Sequence, residues 1–328
     1  MANGQAHPVL VTGALGAIGS WVVRRLVEQG EPVVAVDWRA DFSLIPDLER
    51  DVLFVEGDIL NRDWLSQLVK DHGVRRILHL AALMPPACEE DPLRGYQVNF
   101  MGALNIFEVA REQRLERVVF MSSKARYGAV TGRHTTPEFE PITEDYQNVP
   151  LDVYGSTKLA LEEAARHYRR LYDLDLITLR LGSTYGPGKL ARHGAVGLAC
   201  RIVEMAFAGQ PFVVPTPAQR DDMVYNRDVA KAIVLAGFAP RTEHWQFNIS
   251  GGQLVNIREF AEEAMRLCPR HQLTIDDASP KPARPSTASL MSIARARAEL
   301  GYEPDFPGVS GVAHYVEHLR QHEAARMR

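Results

Sequence analysis

The sequence predicts an α/β fold built on a doubly wound parallel sheet, and three features of its first half carry that prediction. Short apolar runs alternate with helical patterns, which is typical of a parallel sheet covered by helices on both faces. Three glycines at three-residue spacing separate the first apolar run from the first helical pattern. An aspartate, Asp37, ends the second apolar run.

The elements are assigned from the hydrophobic period of each segment. Strands are predicted at residues 9–11, 32–36, 52–56, 76–80, 117–121 and 176–180, and helices at 64–71, 96–113 and 153–172. After Thr184 the pattern changes, because Gly186-Pro187-Gly188 interrupts it and the later elements are short and mixed. We expect residues 223–225 and 245–249 to return to the sheet and 278–289 to form a surface loop.

The glycine turn between the first strand and the first helix predicts a dinucleotide site of the Rossmann type. Gly13 permits a turn closed to side chains, Gly16 lets the backbone approach a pyrophosphate, and Gly19 lets the helix pack on the strand. The first helical turn, with Ala17 and Ile18, offers N–H groups to anionic oxygens.

Asp37 lies about twenty residues past the glycines, where a carboxylate accepts both adenosine ribose hydroxyls. The same carboxylate repels a 2′-phosphate, so we expect NAD rather than NADP. The alternative is a helix-packing glycine turn in another kind of α/β protein. If the glycine turn is a dinucleotide site, residues 1–183 form an NAD-binding domain. Residues 220–255 return to the sheet of that domain. Residues 184–328 form mainly a smaller, interleaved substrate-binding region.

The composition is that of a globular protein, with 46% hydrophobic and 24% charged residues among 328. A net charge of −4 argues against nucleic acid or an anionic membrane as the main partner. Cys88, Cys200 and Cys268 show no metal-ligand spacing, so we expect reduced thiols in a cytoplasmic protein and no metal. The amino terminus shows no signal-peptide pattern.

A candidate catalytic set follows the cofactor turn along the chain. Tyr154 and Lys158 are four residues apart on one helix face, and Ser122 and Ser123 end a predicted strand. Oxidation of a secondary alcohol needs a base for its proton, and a phenol serves at neutral pH only if a nearby cation stabilises its phenolate. We therefore assign Tyr154 as base, Lys158 as that cation and Ser123 as the hydroxyl that holds the reacting oxygen. The alternative makes these residues packing and capping groups.

Together these motifs resemble the extended short-chain dehydrogenase/reductase family, in its NAD-dependent epimerase/dehydratase branch. The resemblance covers nearly the whole chain. It is carried by Thr12-Gly13-x-x-Gly16-x-x-Gly19, Gly57-Asp58-Ile59, His79-Leu80-Ala81-Ala82, Val98-Asn99, Met121-Ser122-Ser123 with Tyr127-Gly128, Tyr154-x-x-x-Lys158, Arg180-Leu181-x-x-x-Tyr185-Gly186-Pro187-Gly188 and Glu299-Leu300-Gly301-Tyr302.

The resemblance implies further cofactor contacts. Asp58 and Ile59 would contact adenine, Leu80, Ala81 and Ala82 would back the cofactor, and Leu181 and Ser183 would lie along the nicotinamide. His79 is expected to be structural, and Asn99 to anchor a helix or order a water. Members of the family often pair as homodimers through the Tyr/Lys helix and the helix near residues 96–113, so a homodimer is expected.

The resemblance fixes the substrate less well than the cofactor. Sugar-nucleotide members commonly carry Asn at the position of Ser183 and Arg at that of Asp221, and both help to hold the diphosphate. We expect a small-molecule substrate, with five residues as candidate contacts: Leu83, Met84, Lys124, Arg126 and Arg192.

Three functions are weighed. The first is an NAD-dependent enzyme that oxidises a secondary alcohol of a sugar or sugar nucleotide and returns the hydride to the opposite face, which gives epimerisation. The second is a net dehydrogenase of a small hydroxy acid, uronate or amino alcohol. The third is a non-catalytic NAD-sensing regulator, which retention of both Tyr154 and Lys158 argues against.

Overall fold

The structure is a computed structural model that describes residues 7–193, 197–278 and 287–326. Its strands are β1 (Val9–Thr12), β2 (Val33–Asp37), β3 (Leu53–Glu56), β4 (Arg76–His79), β5 (Arg117–Ser123), β6 (Leu176–Leu181), β7 (Ser183–Tyr185), β8 (Pro211–Val214), β9 (Arg220–Tyr225), β10 (Gln246–Ile249), β11 (Leu254–Asn256) and β12 (Gln272–Ile275).

Its α-helices are α1 (Gly19–Glu28), α2 (Arg62–Asp71), α3 (Pro85–Glu90), α4 (Pro92–Tyr96), α5 (Gly102–Gln113), α6 (Val153–Tyr172), α7 (Lys189–His193), α8 (Leu198–Phe207), α9 (Asn226–Phe238), α10 (Ile257–Leu267), α11 (Ala294–Leu300) and α12 (Gly311–Arg326). The helix predicted at 96–113 is divided, because a π-helical segment, Gln97–Met101, joins α4 to α5.

Seven strands form the predicted parallel sheet, in the order β10-β6-β5-β4-β1-β2-β3. The order reverses between β1 and β4, and ligands of doubly wound folds bind at that crevice, beyond the carboxyl ends of the strands. The predicted fold class is therefore confirmed. One face of the sheet packs on α1, α9 and α11, and the other on α2, α5 and α6.

The prediction that residues 223–225 return to the central sheet is wrong. They lie in β9, which belongs to a separate three-stranded sheet, β11-β9-β7. The chain leaves the central sheet after β6 at Gly182, where a Cβ atom would lie 2.4 Å from the Ser250 hydroxyl oxygen. β7 then pairs with β9 in parallel. Residues 246–249 do return, as the edge strand β10 beside β6.

The carboxyl-terminal half has a hydrophobic core of its own, formed by α8, α10 and α12 against β7 and β9. Most of the predicted surface loop at 278–289 lies outside the described residues. Among the helices that the structure describes, none combines the length and apolar character needed to cross a bilayer.

Candidate active site

The glycine turn lies between β1 and α1 and makes two close backbone approaches. Gly13 has φ +69°, and a Cβ atom there would lie 2.7 Å from the amide nitrogen of Ala81. At Gly19 a Cβ atom would lie 2.0 Å from the Gly13 carbonyl oxygen. The turn therefore has room for neither side chain, which holds α1 close to β1 with its first N–H groups at the crevice.

Asp37, at the end of β2, accepts hydrogen bonds from the Leu15 amide at 2.9 Å and the Trp38 amide at 2.8 Å. Burial raises the pKa of this carboxyl group, and the two amides act in the opposite direction. Asp37 thus lies against the glycine turn, where its carboxylate faces the adenosine side of the crevice.

Other residues assigned to the cofactor line the same crevice edge. Ile59 is buried against Gly102 of α5, and the Asn105 side chain donates to its carbonyl at 3.0 Å. Asp58 is exposed and caps its own turn by accepting from the Leu60 amide. At the end of β4, Leu80, Ala81 and Ala82 are half-buried.

His79 has a structural environment, as expected. Its Nδ1 atom lies 2.7 Å from the Thr12 hydroxyl, which ties β4 to β1. The ring is buried, and this burial lowers the pKa of His79 to about 3. The ring is therefore neutral near pH 7, and its hydrogen bond holds two strand ends together.

Ser123, Tyr154 and Lys158 meet at the carboxyl end of β5. Asp152 caps α6 by accepting from the Gly155 amide at 2.6 Å, so Tyr154 lies in the first helical turn. Its hydroxyl hydrogen-bonds to that of Ser123. One turn further, the Lys158 ammonium donates to the Met121 carbonyl at 2.8 Å and lies 5.4 Å from the centroid of the Tyr154 ring.

Burial, rather than the charge of Lys158, dominates the titration of Tyr154. Burial raises the pKa of Tyr154 well above its ordinary value, and the Ser123 hydrogen bond lowers it only in part. Burial also lowers the pKa of Lys158, to about 8. Because the ammonium is turned toward the Met121 carbonyl, desolvation outweighs the attraction between the two groups.

Asn99 anchors the loop after β4. Its amide oxygen accepts from the Leu83 N–H at 2.7 Å, and its amide nitrogen donates to the Leu83 carbonyl at 3.0 Å. Leu83 and Met84 are half-buried in this loop. The contacts identify Asn99, of the two expected roles, as an anchor: it fixes a loop beside the catalytic set.

Three of the residues that bear on the substrate form one buried cluster. The Lys124 ammonium donates to Asp221 of β9, and the Ser183 hydroxyl of β7 donates to the same carboxylate oxygen at 2.5 Å. Lys124 is 8% exposed and Asp221 is 7% exposed. We name these three residues the Lys124 cluster.

The structure does not support Arg126 or Arg192 as substrate contacts. Arg126 is buried, 3.7 Å from Glu162, and donates to the Tyr146 carbonyl. Arg192 binds the Asp41 carboxylate and donates to the Asp41 carbonyl at 2.9 Å. It is therefore tied to the loop after β2, on the adenosine side of the crevice. The sequence does not reveal the ion pair of an arginine beside a motif when its carboxylate partner lies far along the chain.

Two buried polar groups near the site were missed. Glu162, one turn beyond Lys158 on α6, accepts from Ser122 at 2.5 Å and from Arg180 at 2.6 Å. Asn226 donates to the carbonyls of Ala17 and Pro187, which joins the glycine turn to the loop after β7. The sequence did carry a signal for Glu162, since it repeats the i+4 spacing of Tyr154 and Lys158.

A doubly wound sheet with a glycine turn at its switch point, and a Ser-Tyr-Lys set across the crevice, defines a nicotinamide-dependent enzyme. The sequence model described as the NAD dependent epimerase/dehydratase family matches residues 9–250. The chain belongs to that family. Its NAD dependence and its place among the epimerases and dehydratases are thereby confirmed as predicted.

Individual relatives agree with this assignment. A UDP-glucose 4-epimerase of Mycolicibacterium smegmatis is 31% identical over 326 residues, which cover 95% of this chain and 98% of that relative. The Thermus thermophilus UDP-glucose 4-epimerase complex with NAD superposes with a TM-score of 0.80 at 28% identity, covering 95% of this chain and 99% of that one. The structure of MoeE5 in complex with UDP-glucuronic acid and NAD superposes with a TM-score of 0.78 at 27% identity, covering 96% of this chain and 99% of that one.

Proposed function

We propose that Tyr154 is the base that takes the hydroxyl proton of a secondary alcohol, while Ser123 holds the reacting oxygen. The observation that carries this proposal is that Ser123, the Tyr154 phenol and the Lys158 ammonium converge at the end of β5, with the ammonium 5.4 Å from the Tyr154 ring centroid. A substrate oxygen bound between the Ser123 and Tyr154 hydroxyls would lie within hydrogen-bonding reach of both groups, which is the geometry that general-base catalysis requires.

The residues of the crevice fit NAD. The glycine turn leaves room at Gly16 for a pyrophosphate, Asp37 faces the adenosine side, and Ala81 and Ala82 present small side chains. Lys158 would hold the nicotinamide ribose and, in turning from the Met121 carbonyl, bring its charge toward Tyr154. When bound, NAD supplies the acceptor for the hydride that leaves the alcohol carbon.

For the net reaction, we propose epimerisation of a sugar or sugar nucleotide with NAD retained. The resemblance to UDP-glucose 4-epimerases along nearly the whole chain supports this proposal. The test is an incubation of the protein with NAD and a panel of sugars and sugar nucleotides. Epimerised product without NADH absorbance is expected, and NADH formed in step with product would contradict it.

A net dehydrogenase of a small uronate, hydroxy acid or amino alcohol is the second candidate. One observation favours it: Asp221 and Ser183 stand where sugar-nucleotide members commonly carry the Arg and Asn that hold a diphosphate. A carboxylate paired with Lys124 cannot donate to a diphosphate the hydrogen bonds that a guanidinium would supply. The same incubation distinguishes the two candidates, since NADH that accumulates with product supports the dehydrogenase.

We further propose a cytoplasmic homodimer. Exposed apolar side chains lie on the two helical segments whose pairing the family resemblance implies, at Met101, Leu171 and Tyr172. Burial of such a patch against its own copy would remove apolar surface from water on both sides. The three cysteines are free and buried, which is compatible with a reducing compartment.

A further inference from the structure

The Lys124 cluster lies beside the catalytic set. Lys124 follows Ser123 directly, at the end of β5. Ser123 pairs in register with Leu181 on the neighbouring strand, and Ser183 comes two residues later. Lys124 thus starts beside Ser123, and its ammonium pairs with Asp221 on β9.

The hydrogen-bonding capacity of Asp221 is filled within the protein. One carboxylate oxygen accepts from Lys124 and Ser183, and the other accepts from the Asp222 amide at 3.0 Å and the Ser289 amide at 3.3 Å. An ionised carboxylate has about four lone-pair sites. Asp221 is therefore an anchor for the cluster and has no acceptor site left for a ligand.

Lys124 has hydrogen-bonding capacity in reserve. A lysine ammonium carries three N–H donors, and within the described part of the chain Asp221 is the acceptor that it contacts. Its side chain retains 10% exposure. An ammonium carries no acceptor, so any ligand group that the cluster binds must itself be an acceptor.

We propose that Lys124 binds a carboxylate carried by the sugar substrate, so that the enzyme acts on sugar acids. This inference rests on the proposed alcohol oxidation at Tyr154. A carboxylate offers two coplanar acceptor oxygens to the remaining N–H groups, and charge-assisted bonds of this kind are stronger than those to a neutral hydroxyl.

The proposal is tested by comparing each acid with its neutral counterpart. We would measure kcat/KM in the presence of NAD for glucose against glucuronate, galactose against galacturonate, and UDP-glucose against UDP-glucuronate. The expected result is a preference of about 10- to 100-fold for the acid in at least one pair, the size of a charge-assisted hydrogen bond. A preference in the first two pairs indicates a free sugar acid as substrate, whereas a preference in the third pair indicates a sugar acid linked to a nucleotide.

Variants assign the preference to Lys124. Lys124→Met alone would leave Asp221 buried without its cation, so the double variant Lys124→Met/Asp221→Asn is measured with it. In the double variant the ratio of acid to neutral substrate should fall to near one. Lys231→Met is the matched control, because Lys231 binds Asp305 and the Glu303 carbonyl away from the site, and it should keep the wild-type ratio.

Equilibrium binding to Tyr154→Phe with NAD present separates recognition from chemistry. Suppose that Tyr154→Phe binds sugar acids more tightly than their neutral counterparts while the wild type turns over no substrate. The proposed alcohol oxidation is then wrong, and the proposed role of Lys124 stands. If the wild type turns over neutral and acidic sugars equally, or the double variant keeps the acid preference, the carboxylate proposal is overturned. Absence of any acid preference in both binding and turnover overturns it as well.

Discussion

At the scale of single residues, the protons held by the Tyr154 phenol and the Lys158 ammonium determine how the rate depends on pH. Burial raises the pKa of Tyr154 and lowers that of Lys158 to about 8. The first proton that the pair loses therefore leaves with a pKa near 8, whichever group carries it. The singly deprotonated pair includes the active arrangement, a phenolate beside an ammonium.

The raised pKa of Tyr154 and the lowered pKa of Lys158 predict the pH dependence of the oxidation step. Below about pH 8, kcat/KM should rise about tenfold per pH unit as the pair loses its first proton, and above pH 8 it should level off. In Lys158→Met the remaining group is Tyr154, so the rise should move to higher pH. Steady-state rates between pH 6 and 10 check this. A midpoint that Lys158→Met leaves unchanged would show that another group titrates.

Residue roles were only partly predictable from the sequence. The glycines, Ser123, Tyr154 and Lys158 stand in local motifs, so spacing alone brings them to one crevice edge. The partner of Lys124 is 97 residues away in the chain, and no local pattern predicts that ion pair. The ion pair of Arg126 is equally hidden in the sequence, because its partner Glu162 lies on another element.

At the scale of elements, α6 carries the catalytic residues and is fixed to the sheet by buried charges. Glu162 of α6 pairs with Arg180 of β6 at 2.6 Å, and their side chains are 1% and 2% exposed. The same carboxylate accepts from Ser122, the neighbour of Ser123 on β5. One ion pair thus connects the helix of Tyr154 with the strand of Ser123.

Removal of the Glu162 carboxylate should lower the stability of the fold. Glu162→Gln leaves the Arg180 guanidinium buried without its counter-charge, so we expect a loss of about 3–5 kcal/mol in the free energy of unfolding. Urea denaturation measures it. The next residue provides the control: Glu163 is exposed and pairs with Arg166 on the surface, so Glu163→Gln should change stability by less than about 1 kcal/mol. Equal effects of the two substitutions would refute this role of Glu162.

The hydrophobic period predicted well which segments are helices and which are strands, but it did not predict which strands pair with each other. Residues 223–225 have a strand pattern, and nothing within them distinguishes pairing with β6 from pairing with β7. The deciding feature is the close contact between Gly182 and Ser250, which involves residues 68 positions apart by sequence number. The π-helical segment at Gln97–Met101 was missed because its residues also fit an α-helical period.

At the scale of the whole molecule, the two halves of the chain share the cofactor crevice. Asn226 starts α9, which packs against the central sheet, and donates to the carbonyls of Ala17 and Pro187. Arg192 of α7 binds Asp41 after β2. These contacts make the cofactor crevice a joint structure of both halves, in keeping with the interleaved fold that the sequence predicts.

The proposed dimer is also tested at this scale. Met101 is 48% exposed and belongs, with Leu171 and Tyr172, to the exposed apolar side chains of the two helical segments proposed to pair, which are called the patch. Met101→Glu would place a charge in the paired surface, so sedimentation velocity should show a shift from dimer to monomer. Val213→Glu is the control, since Val213 is exposed on β8, outside the patch. A monomeric wild type, or a Met101→Glu dimer of unchanged stability, would contradict the proposal.

The central claim is that the phenolic oxygen of Tyr154 accepts the proton of the substrate alcohol. It is tested most directly by single-turnover measurement of substrate oxidation in Tyr154→Phe, with NAD affinity measured on the same sample. The account predicts a rate lower by about 10²- to 10⁴-fold with NAD affinity unchanged. Oxidation at the wild-type rate in Tyr154→Phe would contradict it.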